Sequence, residues 1–148
     1  MAKQTWKPGN MVYPLPAAMV SVGCKDGRSN IITIAWTGTI CTNPAMLYIS
    51  VRPERYSYEM IKESGEFVLN LTTEDLAKAT DYCGVRSGKD VDKWKETGLT
   101  KGKANALDFT PIIEECPVNI ECKVTEIKEL GSHHMFLAEV VSVQVSEE

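Results

Sequence analysis

Residues Met46–Val51 alternate strictly, with Leu47, Ile49 and Val51 on one side of an extended chain and Met46, Tyr48 and Ser50 on the other. A two-residue period marks a half-buried β-strand, because successive side chains leave a pleated backbone on opposite faces. The same period returns late in the chain. Val118, Ile120, Cys122 and Val124 alternate with Asn119, Glu121, Lys123 and Thr125, and Val141, Val143 and Val145 alternate with Ser142 and Gln144. A chain patterned this way folds around sheets, and its helices are short inserts between strands.

The rest of the sequence fills in that frame. Residues 17–23 are small and β-branched, and residues 30–36 are apolar on both faces, as in a buried strand. The Asp26-Gly27 turn between them makes a hairpin. Asn43-Pro44 is a turn, Pro53 closes the 46–51 strand, and Glu66–Leu71 is a further strand. Helical patterns cover residues 57–63, ending before Gly65, then 72–82, where Thr72 and Asp75 approximate a capping box, and 90–96. Residues 83–89 read as a loop, 101–106 as a polar, exposed stretch, and 129–134 as a reversal. The total is about six or seven strands and three short helices. A helix does not follow every strand, so a parallel α/β sheet is disfavoured and a small antiparallel barrel with outer helices is expected.

Composition bounds the function. The 148 residues, 43% of them apolar, suffice for one domain over residues 1–148. Sixteen Lys and Arg against twenty Asp and Glu give a net charge of −4, without a long basic run, which disfavours nucleic acid as a partner. No apolar run approaches the roughly 20 residues of a membrane span. Residues 1–10 are polar and carry no signal-peptide core. Five cysteines, an odd number with no C-x-x-C pair, read as reduced thiols of a cytoplasmic protein. Cys116 and Cys122 followed by His133 and His134 do not have a usual zinc spacing, and Cys122 falls on the core face of its strand, so no metal is expected.

Three segments carry candidate chemistry. Ser50, Val51, Arg52, Arg55, Tyr56 and Ser57 lie where a strand gives way to a helix, with Ser57 placed to cap that helix. The first amides of a helix lack internal partners and carry partial positive charge, and arginines add forked donors, so the segment suits a phosphate. The same residues also fit a capped surface helix with two solvated arginines. Cys83, Gly84, Ser87, Gly88 and Lys89 form a glycine-bearing loop that can approach an anion, or serve as a plain helix-to-helix connection. Thr33, Ile34, Ala35, Trp36 and Thr37 can present main-chain groups to a planar heterocycle, or simply belong to a core strand.

Taken in order, these pieces resemble one family. They are Pro14-Leu15-Pro16, the 30–36 strand, Pro44, Tyr48 to Arg52, Arg55-Tyr56-Ser57, Phe67 to Asn70, residues 83–94, and His133 before residues 136–140. Their order and spacing are similar to those of the flavin-reductase-like family, FMN-binding split barrels of the flavoredoxin type. The resemblance implies a mainly β fold, a six-stranded antiparallel Greek-key split barrel with short flanking helices, that dimerises and binds FMN. It implies that residues 33–37 line the isoalloxazine ring, and that Ser50, Arg52 and Ser57, with Arg55 and Tyr56 nearby, reach the ribityl chain and phosphate. It implies that residues 83–93 close over the cofactor through Ser87, Gly88 and Lys93, and that His133 is the catalytic helper near flavin and nicotinamide. The implied function is an oxidoreductase moving electrons between NAD(P)H or a protein donor and an acceptor. The alternatives are a flavoredoxin-like carrier without its own NAD(P)H oxidation, or a non-redox barrel that has lost flavin. Family members usually continue some tens of residues past the last strand seen here.

Overall fold

A computed structural model describes residues 1–147; Glu148, the last residue of the expected domain, lies outside the described residues. The chain enters its first hairpin through β1 (Ala18–Gly23) and β2 (Ser29–Ile34), paired from Ala18 opposite Ile34 to Gly23 opposite Ser29. Gly27 takes the left-handed φ of 95° at the turn, a conformation that is cheap only without a Cβ. Then come β3 (Thr37–Cys41), β4 (Met46–Val51), α1 (Tyr56–Ser64), β5 (Glu66–Leu71), α2 (Ala77–Val85) and α3 (Lys93–Thr97). A short ribbon, β6 (Lys101–Gly102) with β7 (Ile112–Ile113), precedes two long strands, β8 (Val118–Glu129) and β9 (His134–Val145).

Seven strands form one sheet in the order β2-β1-β5-β8-β9-β4-β3, and every pairing is antiparallel. The two end strands, β2 and β3, are consecutive in the chain and joined only by Ala35 and Trp36. The Ser50 amide donates to the Trp36 carbonyl at 2.9 Å, which ties that junction to β4 and rolls the sheet into a barrel. The fold is therefore the mainly β barrel expected, with seven strands in its sheet where six were anticipated. The extra strand is β3. The 30–36 strand breaks at Ala35 and resumes as Thr37-Gly38-Thr39-Ile40-Cys41, half-buried to exposed and without apolar alternation, so it leaves no period to read.

The main core holds the predicted faces: Val20 and Val22, Ile32 and Ile34, Leu47, Ile49 and Val51, Phe67 and Leu69, with Phe136 and Ala138 from β9. Helix α1 adds Tyr58, Met60 and Ile61 to it. A second core lies beneath α2 and α3, where Met19 and Ile31 point to the opposite side of the hairpin and meet Cys83, Trp94 and Cys116. Helix α2 begins later than expected, after a 3-10 turn at Glu74–Leu76, and runs on to Val85. The anticipated capping box does not form, because the Thr72 hydroxyl instead donates to the Ala17 carbonyl. Helix α3 starts at Lys93, where the Asp92 carboxylate accepts from the amides of Trp94 and Lys95.

The stretch read as polar and exposed is partly inside. Ala104 is buried with Val68 and Ile112. Glu66 accepts from the amides of Asp108, Phe109 and Thr110, and Glu121 from those of Asn105 and Ala106. The outward faces of β5 and β8 are thus covered by a loop pinned through its own backbone.

Candidate functional site

Where β2 breaks, the barrel wall opens into a cleft of about 180 Å3. Ile32, Thr33, Ile34, Ala35 and Trp36 form one wall, Ser50, Val51, Arg52 and Arg55 the other, and His133 stands at the mouth. Two of the three candidate segments are therefore brought together by the contact of the β2 end with β4. Ile32 is a lining residue that the sequence reading passed over, because an apolar strand interior carries no sign of facing a cleft.

Arg52 is exposed and Arg55 half-buried. Arg55 is also the residue that precedes the first turn of α1, and no side chain caps that turn. This corrects the expected role of Ser57. Ser57 lies inside the helix, fully buried, and its hydroxyl accepts from the Asn30 amide at 2.7 Å. The uncapped turn and two guanidinium groups collect donors and positive charge at one end of the cleft.

His133 is half-buried, its ring against Trp36 with centroids 4.4 Å apart and planes 39° apart. Its Nδ1 shares a 2.8 Å hydrogen bond with the Ser132 hydroxyl. Burial, with the nearby positive charge of Arg52, holds its pKa below the ordinary value, against a smaller opposing pull from Glu54. That shift favours the neutral form of the imidazole at the cleft mouth.

The remaining expected site residues lie outside this cleft. Thr37 donates its hydroxyl to the Tyr48 carbonyl and lines a neighbouring cavity. None of residues 83–93 lines the cleft. Cys83 is fully buried in the second core, its thiol pushed up to about 11 by burial. Gly84 packs against Thr33, and its carbonyl accepts from Arg55 at 3.3 Å. Ser87 turns inward on its own loop, accepting from the Lys89 amide. Gly88 sits so close to Asn30 and Tyr56 that a Cβ there would collide with both, and Tyr56 packs against the main core. Lys93, expected to contact a cofactor, has its ammonium 2.7 Å from each of the Ile31 and Cys83 carbonyls and is only 2% exposed. It binds β2 to α2 from inside.

The family described as "Flavin reductase like domain" matches residues 10–148. An uncharacterized protein of Archaeoglobus fulgidus is 31% identical over 132 residues, 89% of this chain and 73% of that protein. The structure is similar to the flavoredoxin of Desulfovibrio vulgaris (Miyazaki F), with a TM-score of 0.90 and 32% identity, covering 99% of this chain and 78% of that one. It is also similar to flavoredoxin from Methanosarcina acetivorans, with a TM-score of 0.86 and 33% identity over 98% of this chain and 77% of that one.

Proposed function

The chain belongs to the flavin reductase like family, and from that premise we propose that it binds FMN in the cleft between β2 and β4 and moves electrons between NAD(P)H or a protein donor and an acceptor. The observation that carries the reading is the charge layout of the cleft. One end gathers Arg52, Arg55 and an uncapped helix turn; the other is the β2 wall ending in Trp36. A mononucleotide has the same division, with an anionic phosphate at one end and a flat ring at the other. The flavin, when bound, supplies the redox chemistry, which no side chain of the cleft can perform.

The residues of the chain have simpler tasks. Arg52 and Arg55 would hold the phosphate, with Arg55 steadied by its bond to the Gly84 carbonyl. Thr33 to Trp36 would bound the ring. His133, leaning on Trp36, would shield the opening from water and offer a polar contact. Five cysteines without a disulfide agree with a reducing, cytoplasmic setting. A homodimer belongs to the same reading.

A second reading, an electron carrier that does not itself oxidise NAD(P)H, is favoured by the likeness to the two flavoredoxins. The visible spectrum of the purified protein, with chromatography of any cofactor released on denaturation, tests both. About one FMN per chain supports them; a colourless protein that takes up no added FMN overturns both. NAD(P)H oxidation with excess free FMN then separates reductase from carrier. Arg52→Ala is expected to weaken FMN binding about tenfold or more, the order of one charge-assisted phosphate contact. Unchanged affinity would remove the phosphate from this end of the cleft.

A further inference from the structure

Behind the cleft, Tyr58 of α1 meets His134, the first residue of β9. Tyr58 is 3% exposed, and its hydroxyl oxygen lies 2.6 Å from His134 Nδ1. The phenol has no other hydrogen-bond partner among the described residues. A buried O–H needs an acceptor, so the hydroxyl donates, Nδ1 accepts, and the imidazole proton sits on Nε2. The Tyr58 ring also meets the rings of His134 and Phe136 edge-on, with centroids 5.3 Å and 5.4 Å apart. Each partner leads to a different end of the cleft. The Tyr58 amide donates to the Arg55 carbonyl at 3.0 Å, closing the turn that Arg55 begins. His134 follows His133 directly and pairs with Val51 of the cleft wall. One bond, between residues 76 positions apart, therefore joins the arginine end to the histidine mouth.

We propose that Tyr58 and His134 are positioning residues of the cleft: their bond holds α1 against β9 and so fixes the span between Arg55 and His133. Neither side chain lines the cleft, so each acts through its neighbours. Consecutive residues of α1 anchor the helix to two strands, Ser57 to Asn30 of β2 and Tyr58 to His134 of β9. These two bonds are directional. The apolar contacts that Met60 and Ile61 make with the main core are not, and they tolerate a sliding helix. Without the Tyr58 bond, α1 keeps its burial but loses its fixed place along β9. A mononucleotide must engage both ends of the cleft at once, so a drifting span costs affinity. That cost for FMN rests on the function proposed above; the tie between α1 and His133 does not.

The test uses three substitutions in the full chain. Tyr58→Phe keeps the ring and its edge-on contacts and removes only the hydroxyl, so the fold is kept. His134→Leu removes the acceptor, and His134→Asn keeps one near the Nδ1 position. FMN, titrated calorimetrically, is expected to bind about fivefold more weakly to Tyr58→Phe and to His134→Leu, the order of one hydrogen bond. Combining those two should be no worse than either alone, because both remove the same bond. His134→Asn should bind FMN within about twofold of the wild type. Without flavin, Tyr58→Phe should raise the His133 pKa toward its ordinary value in an NMR titration, as the ring loses its shelter against Trp36. Arg52 and Glu54, the charged groups that act on His133, and Glu129, opposite His134, are unaltered in that variant. Additive losses, no recovery in His134→Asn, or an unmoved His133 titration would overturn the proposal. A wild type that binds no FMN overturns the flavin reading, while the His133 titration still decides this one, so the two failures are distinct.

Discussion

Lys93 points its ammonium into the protein interior, and the surroundings set its chemistry. Burial lowers its pKa from 10.5 to about 8, with Arg55 adding repulsion and Cys83 opposing it. Lys93→Met would leave the Ile31 and Cys83 carbonyls without this donor, so a loss of about 3 kcal/mol is expected in urea unfolding. The pH dependence has a definite sign. The folded state releases this proton before the unfolded chain does, so the wild type gains stability as pH rises from about 8 toward 10.5 and loses it as pH falls back. Lys93→Met should lack that slope, as unfolding at pH 7.5 and pH 10 would reveal. At the cleft mouth, Arg52→Ala removes a positive neighbour of His133 and should raise the imidazole pKa, read by an NMR titration of the ring. An unmoved His133 titration would leave burial as its sole cause. At this scale the sequence shows which residue types are present, but not that Ser57 lies buried inside its helix or that Lys93 is turned into the interior. Residue type shows that a lysine can bind an anion; it does not show that two carbonyls have already claimed it.

Elements were legible where one face meets the core and the other meets water. Strand β4 occupies the residues its pattern specifies, because alternation is a direct imprint of one-sided burial. The pattern misleads on β8. Asn119 and Glu121 read as its solvent side, yet both are buried, Asn119 donating to Asn70 and to the Ile113 carbonyl and Glu121 held under the 103–110 loop. Glu121 pairs across the sheet with Val68, one of the few apolar residues on that outer face. The carboxylate is satisfied there by loop amides and by the Gln144 amide, so polarity and burial coexist. Glu121→Gln turns one acceptor toward these donors into a donor, and should cost about 1–3 kcal/mol. Faster amide exchange at Asn105 and Ala106 would confirm that the loop is the element released. Strand β9 carries a second irregularity. Cys122 faces Val140 while Glu121 faces Ser142, so Val141 is an extra, bulged residue.

At the scale of the whole molecule, the cleft exists because the sheet closes where β2 ends. Ala35 and Trp36 cross from one sheet edge to the other and, with the end of β2, form the wall where a ligand can lie. Closure depends on the core beneath, where Phe136 is fully buried and meets the Tyr58 ring edge-on at 5.4 Å. Phe136→Ala is expected to cost about 3–5 kcal/mol and to lower the thermal midpoint by several degrees. A loss below about 1 kcal/mol would show that the core refills the space. The sequence by itself determined the strand periods, the mainly β class, the family and the arginine-bearing link from β4 to α1, since each is written in neighbouring residues. Only the tertiary structure decided that Ser57 and Lys93 lie inside, that His133 leans on Trp36, and that Tyr58 meets His134. Those contacts join residues tens of positions apart, and their partners are set by sheet register and closure, which no local pattern contains.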